Sequence, residues 1–337
     1  MISNEDNDVL CGRFSDTEIL GAVSECGSSK SPGPDGLNFH FVKNNWDIIG
    51  ANFTTTIHSF QDSGFIPRGC NASFITLIPK RKNPSILNDF RPISLVFCIY
   101  KVIAKVLANR LKGVLLKVID NNQTAFLSGR GLLDSVLVAS ETIDYLRKEK
   151  SKGVVVKVDF EKGYDLLDWD FLMYMMGRLG FNHKWIRWIK TCLAFATISV
   201  QVNGSPTNEF KPRRVLRQGD PLTPFLFIIV AERLAGLVKE ASKIGIFEGV
   251  RVGHKNVEVR LLQFADDTLF FCQPHLYCVL AIKMILRCFE LVSSLKVNFH
   301  KGTIGTIGLC EVDLVGFSKC LNSGRMNLPF NYLGMTI

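Results

Sequence analysis

No apolar run in this 337-residue chain is long enough to cross a bilayer. The longest, PFLFIIVA at 224–231, is interrupted at once by Glu232 and Arg233. The opening residues, MISNEDNDVL, are acidic and lack the apolar core of a secretory signal. Internal repeats and low-complexity tracts are absent too, which removes solenoid and disordered readings. The ten cysteines are scattered and do not space out as a disulfide framework. The expectation is therefore reduced thiols in an intracellular protein, nuclear or cytoplasmic, neither secreted nor membrane-bound. Cys272, His275 and Cys278 lie close in sequence but have no second pair to complete a metal site, and they read as ordinary residues. What is present is 47% hydrophobic and 21% charged residues, enough for a sizeable core in one large or two closely packed domains.

The formal net charge is +9, from 40 basic and 31 acidic side chains. Such a balance points to a polyanionic partner. Its distribution says more. Lys80, Arg81 and Lys82 cluster, as do Lys211, Arg213, Arg214 and Arg217. In YKVIAKVLANRLKGVLLKVI (100–119) the apolar residues recur at helical spacing, with Lys101, Lys105 and Lys112 on the other side. For that helix alone, a solvated face is the simpler account. Helices are also expected over 16–26 and 46–57.

Two adjacent aspartates, Asp266 and Asp267, interrupt the otherwise buried pattern of LLQFADDTLFF (261–271). Strand-like runs on both sides predict a hairpin across 258–273 with the Asp-Asp step as its turn, since Asp tolerates left-handed backbone. A polar turn would account for them structurally. Yet paired carboxylates repel and raise each other's pKa unless a cation lies between them. A third acid stands at the end of another strand: GVVVKVDFEKGYD (153–165) opens with a β-branched run and delivers Asp159. A helix follows from Trp169, with Gly180 as its stop. Three carboxylates on neighbouring strands would offer oxygen ligands to two hard divalent cations.

The motifs that surround these acids resemble, in order, those of the reverse transcriptase domain of non-LTR retrotransposons, the long interspersed element class, especially its plant members. SPGPDGLNFHFVK (31–43), LIPKRKNPSILNDFRPISL (77–95) and NQTAFLSGRGLLDSVL (122–137) resemble its N-terminal and fingers motifs. KVDFEKGYD, RQGDPLTPFLF (217–227) and FADD (264–267) resemble the three central palm motifs, and LKVNFHKG (295–302) and LPFNYLG (328–334) the two that close the palm. The fold implied is α+β: right-hand polymerase fingers and palm, the palm a small antiparallel, ferredoxin-like sheet with helices packed on one face. The implied organisation is a helical extension at 1–30, fingers at 31–152 and palm at 153–337, with thumb and endonuclease segments of a longer polyprotein missing.

The resemblance also implies roles. Asp159 and Asp266 would ligate two Mg²⁺ ions (Mn²⁺ as a substitute), with Asp267 an accessory acid of the same cluster. Tyr164 matches the ring that excludes a ribose 2′-hydroxyl, and main-chain N–H groups at Lys162 and Gly163 would face the triphosphate. From sequence alone, Tyr164 serves equally well as a packed core ring. Arg91, with Lys80 as a lesser candidate, matches the triphosphate-binding fingers cation. Gln218 and Gly219 would line the nucleotide pocket. Lys301 matches a lysine that protonates departing pyrophosphate, with an exposed loop lysine as the plainer alternative.

The activity implied is RNA-directed DNA synthesis: a primer 3′-hydroxyl attacks the α-phosphate of a deoxynucleoside triphosphate on an RNA template. The chain departs from the family pattern at Gly163, Leu166, Leu167, Val215, Thr223, Ser294 and His300. A left-handed backbone at Val215 would cost about 1–2 kcal/mol. None of these removes a catalytic acid, but together they point to a drifting copy, so an inactive retrotransposon remnant that at most binds nucleic acid is the alternative. A two-metal nuclease or phosphatase would account for the acids but not for RQGDP.

Overall fold

The computed structural model describes residues 1–161 and 163–337. In chain order its helices are α1 (Asn4–Cys11), α2 (Asp16–Glu25), α3 (Phe39–Asn44), α4 (Trp46–Ser63), α5 (Cys98–Leu115), α6 (Leu132–Lys148), α7 (Trp169–Leu179), α8 (His183–Ala194), α9 (Thr223–Lys243), α10 (Leu276–Ser293) and α11 (Glu311–Leu321). The strands are β1 (Ala72–Pro79), β2 (Phe90–Val96), β3 (Gly153–Val158), β4 (Phe160–Glu161), β5 (Thr197–Val202), β6 (Ser205–Pro206), β7 (Val250–Val252), β8 (Val257–Val259), β9 (Leu261–Phe264), β10 (Asp267–Cys272), β11 (Lys296–Val297), β12 (Thr303–Ile307), β13 (Gly324–Arg325), β14 (Asn331–Tyr332) and β15 (Met335–Thr336). They form two compact units: Met1–Val118 with Met173–Leu226, and Ile119–Leu172 with Phe227–Ile337. Among the described residues no helix is long and apolar enough to cross a membrane.

The first unit is mostly helical. Its α2 starts where Ser15 accepts the Glu18 N–H, a side-chain cap that satisfies an otherwise orphaned donor. The 100–119 periodicity becomes α5, whose Val102, Ile103, Val106, Leu107 and Leu111 are fully buried. Its other side is not plainly solvated. Lys105 pairs with Glu25 at 2.8 Å, and Lys101 and Lys112 sit over the rings of Phe39 and Phe225. A four-stranded sheet, ordered β2-β1-β5-β6, joins β1 antiparallel to β2 and parallel to β5.

The second unit is built on a five-stranded sheet ordered β13-β12-β3-β10-β9, antiparallel except for the β12–β13 pair. The expected strand at 153 and the expected hairpin near 258–273 are its centre and one end. β3 has Val154, Val155, Val156 and Val158 all buried, as suits β-branched residues on a pleated surface covered on both sides. Val155, Leu269, Phe271 and Ile307 share a core with Val136, Ala139 and Ile143 of α6. Residues of the opposite parity face the other way: Phe270 meets the edge of Phe247, and Val156 lies beside Leu286 of α10. Thus the α+β class and the small antiparallel sheet agree with expectation, whereas helices confined to one face do not. A strand with consecutive apolar residues needs cover on both sides.

Two special backbone positions are informative. Gly180 closes α7 at φ 93°, as anticipated. Val215 does not have a positive φ, so the strain foreseen there is absent. Ser294, where the family usually has Gly, closes α10 in the left-handed region at φ 62°, its N–H donating to the Glu290 carbonyl. A Cβ there is unfavourable. Ser294→Gly is therefore expected to stabilise the chain by roughly 0.5–1 kcal/mol, read as a higher midpoint in urea unfolding.

Candidate active site

β3 and β10 are neighbours in register, with Val158 opposite Thr268. Asp159 leaves the end of β3 just where Asp267 begins β10, so the sheet itself brings the carboxylates of Asp159, Asp266 and Asp267 to one end of adjacent strands. The turn is displaced from expectation. Phe264 pairs with Asp267, which makes Ala265 and Asp266 the two-residue loop and Asp267 a strand residue. The left-handed residue is Ala265, at φ 54°, a conformation that costs a residue with a Cβ about 1–2 kcal/mol.

All three acids are half-buried, and burial is the main reason that each carboxyl pKa is raised. For Asp159 the positive charges of Lys301 and Lys157 oppose that rise and Glu161 adds to it. Asp266 is eased by its own main-chain N–H but pushed further up by Asp267 and Asp159. Lys157 relieves Asp267, on which Asp159 again acts unfavourably. Among the described residues no cation forms an ion pair with any of the three; the lysines act through space. Lys301 is exposed, and its influence on Asp159 brings that expected residue to the cluster.

Tyr164 packs on Phe227 with ring centroids 5.0 Å apart, and burial, followed by the Asp266 charge, pushes its hydroxyl up to about 12. Tyr164 is thus a packed ring that stands beside the acids. Gly163 has a local reason as well. A Cβ there would meet the Phe227 ring at 3.2 Å and come within 4.0 Å of the Asp266 Cβ. Lys162 lies outside the described residues.

The remaining expected residues belong to the first unit. Lys80 and Arg91 are exposed beside the β1–β2 connection, the Lys80 Nζ donating to the Asn88 carbonyl at 3.0 Å. Gln218 and Gly219 rest on β2: Ser94 N–H donates to the Gln218 carbonyl, and Gly219, at φ 104°, leaves little room for a Cβ, which would lie 3.1 Å from the Ser94 carbonyl. The arginine beside them is a correction. Arg217, grouped with the anion-facing cations by sequence, is 2% exposed, pairs with Asp220 at 3.0 Å and stacks on Tyr100. It supports the loop and is closed to a polyanion.

Sequence reading missed Lys157, Phe227 and Gln123. Lys157 was legible, because strand periodicity puts residues 157 and 159 on one face. Phe227 and Gln123 carry no local signal, since their partners are far along the chain.

Comparison with known proteins agrees with this geometry. Residues 78–337 match the family described as "Reverse transcriptase (RNA-dependent DNA polymerase)". The chain belongs to this family. It is 27% identical to the transposon TX1 uncharacterized 149 kDa protein of Xenopus laevis, over 88% of this chain and 22% of that protein. It is 26% identical to the Pol polyprotein of retrotransposable element R2DM of Drosophila melanogaster, over 85% of this chain and 26% of that protein. These relatives mark it as a reverse transcriptase domain of the non-LTR retrotransposon kind, and the chain spans about a quarter of their length. In fold it is similar to apo telomerase from Candida tropicalis truncated from its C-terminal domain, at TM-score 0.52 and 15% identity, covering 80% of this chain and 56% of that one. The right-hand polymerase fold is thereby shared.

Reverse transcriptases of this family use divalent metal ions. Among the described residues, no three His, Cys, Asp or Glu side chains form a ready-made metal cage. The donor chemistry nevertheless fits: carboxylate oxygens, half-buried and without a paired cation among the described residues, suit a hard divalent ion.

A stability consequence follows for the ion-free protein. Folding raises these carboxyl pKa values above 3.8, so the folded state binds protons more readily than the unfolded one. The cluster opposes folding least below that ordinary value, and stability is lost as pH rises through the folded pKa. In metal-free buffer at pH 7, Asp267→Asn is expected to unfold at a higher temperature than the unaltered chain. The gain should vanish near pH 3 and shrink when Mg²⁺ is added, as followed by circular dichroism.

Proposed function

We propose that this chain carries the fingers and palm of an RNA-directed DNA polymerase that adds deoxynucleotides to a DNA primer 3′-hydroxyl on an RNA template. The reading is supported above all by the placement of Asp159 beside the Asp266–Asp267 corner through the β3–β10 register. In this proposal residues 31–152 act as fingers and 153–337 as palm, after an extension at 1–30. The source element is taken as a plant member of the class, on the strength of its motifs, and the site of action as intracellular, in the nucleus or cytoplasm.

Asp159 and Asp266 would hold two Mg²⁺ ions, for which Mn²⁺ can substitute, and Asp267 would add negative charge to the same cluster. When bound, such ions lower the pKa of the attacking hydroxyl and neutralise charge that develops on the leaving pyrophosphate. The chain's own residues do the positioning. Tyr164, wedged between Phe227 and the acids, would occupy the space that a ribose 2′-hydroxyl needs. Gly163, and Lys162 with it, would turn main-chain N–H groups towards the triphosphate. Arg91 and Lys80, exposed on their hairpin, would contact phosphates, the arginine through a two-pronged guanidinium. Gln218 and Gly219 would bear on the base pair, and Lys301 would donate a proton to the departing pyrophosphate. Basic surface around Lys80, Arg81, Lys82, Lys211 and Arg213 would follow the template backbone without reading sequence.

The test is primer extension on an RNA template with Mg²⁺. Asp159→Asn and Asp266→Asn should each reduce extension on the order of 10³-fold, as loss of a main charge-stabilising group does. Tyr164→Ala should raise ribonucleotide use relative to deoxynucleotide by roughly tenfold or more, the scale of discrimination lost when a steric contact is removed. RNA binding that weakens steeply with salt, without any extension, would instead identify an inactive remnant.

A further inference from the structure

The corner that presents Asp266 is held from outside its own hairpin. Ala265 needs a left-handed backbone that Gly, Asn or Asp fills more readily. Neither β9 nor β10 supplies a partner for its N–H. That partner is Gln123, only 1% exposed, which comes from the NQTAFLSGRG segment. Its Oε1 accepts the N–H groups of Ala265 and of Ala125, both at 3.0 Å, and its Nε2 lies 3.5 Å from the Ala265 carbonyl. Two main-chain donors converging on one oxygen fix the orientation of the amide. On either side, Thr124 N–H donates to the Gln263 carbonyl at 3.0 Å and Gln263 N–H to the Asn122 carbonyl at 2.8 Å.

The loop behind Gln123 is anchored in turn. The Arg130 guanidinium donates to the carbonyls of Asp120 at 2.6 Å, Gln123 at 2.9 Å and Ile119 at 3.2 Å. The Glu232 carboxylate of α9 accepts the Asp120 N–H at 2.9 Å. A segment that resembles a fingers motif is thus fastened to the acid-bearing hairpin, and both lie in the second compact unit.

We propose that Gln123 is a positioning residue for the acid corner: its amide holds Ala265 in the left-handed region and so fixes where the Asp266 carboxylate stands. The catalytic consequence rests on the polymerase reading above; the structural one does not. A glutamine that merely filled the loop would affect stability and leave Asp266 alone. A positioning glutamine would be partly dispensable once residue 265 can take its conformation without strain.

The experiment uses the full chain with Gln123→Met, which keeps the volume and removes both acceptor and donor, alone and combined with Ala265→Gly. Three readouts are followed: amide hydrogen exchange across 262–268, Mn²⁺ affinity by electron paramagnetic resonance with Asp159→Asn as control, and kcat and KM in primer extension. Gln123→Met should speed exchange at Ala265 on the order of tenfold, the scale of one lost buried hydrogen bond. Mn²⁺ affinity should fall roughly tenfold, as when a group that orients a metal ligand is removed, and kcat should fall with KM for nucleotide unchanged. In the Ala265→Gly background these losses should shrink to about threefold or less, a coupling expected of residues in direct contact.

Should Gln123→Met not fold, Gln123→Asn retains an amide but stops one methylene short, and it should loosen the corner equally. Unchanged exchange at Ala265, or equal losses with and without Ala265→Gly, would overturn the proposal. If the unaltered chain neither extends primers nor binds Mn²⁺ through Asp159, the polymerase reading fails, and exchange at Ala265 still decides the role of Gln123.

Discussion

Three half-buried carboxylates, with no cation paired to them among the described residues, set the terms for the second unit. Burial and mutual repulsion both raise the cost of their charges, opposed by through-space help from Lys157 and Lys301 and by the Asp266 main-chain N–H. A fold can tolerate such a corner only if the strands beneath it are strongly over-determined. The sheet meets that need with β3 buried on both faces and flanked on both sides, so Asp159 and Asp267 cannot part without breaking a registered ladder. Function-bearing strain is thus concentrated at the ends of strands, and the apolar ladder behind them absorbs it.

The first unit solves a similar problem in its interior. Arg217 is surrounded by Asp220, the Asn71 side-chain oxygen at 2.7 Å and the Tyr100 ring. Removing one partner from such a pair leaves an unbalanced buried charge, which is far costlier than the pair itself. The loop that follows is held accordingly, with Gln218 and Gly219 laid against β2, where a side chain on residue 219 would be crowded and its positive φ strained. Cations counted towards a template-binding surface by composition therefore include at least one whose charge is spent internally. Those on α5 are likewise engaged with Glu25 and with the Phe39 and Phe225 rings.

Much of this was legible in the sequence. The β-branched run before Asp159, the hairpin around Asp266, the α5 periodicity and the stop at Gly180 each follow from local chemistry, and the motif order supplied the right-hand fold. What escaped was whatever depends on partners distant in sequence. The pattern around LLQFADDTLFF cannot say that the turn begins at Ala265, because a left-handed alanine is unfavourable until Gln123 accepts its N–H. A charge count cannot separate Arg217 from Arg213, since the ring that covers it belongs to Tyr100. Helices on a single face were expected from resemblance, although four buried valines in β3 already asked for cover on both sides.

Asn122–Thr124 has one more consequence. β9 is the last strand of its sheet, and a strand in that position exposes a row of unpaired N–H and C=O groups to any other chain. Here the bridge between Gln123 and Gln263 takes up the Gln263 N–H and C=O of that row. The same short segment therefore shields part of an apolar strand edge: a copy in which it came loose would expose more of LLQF to pairing with another chain.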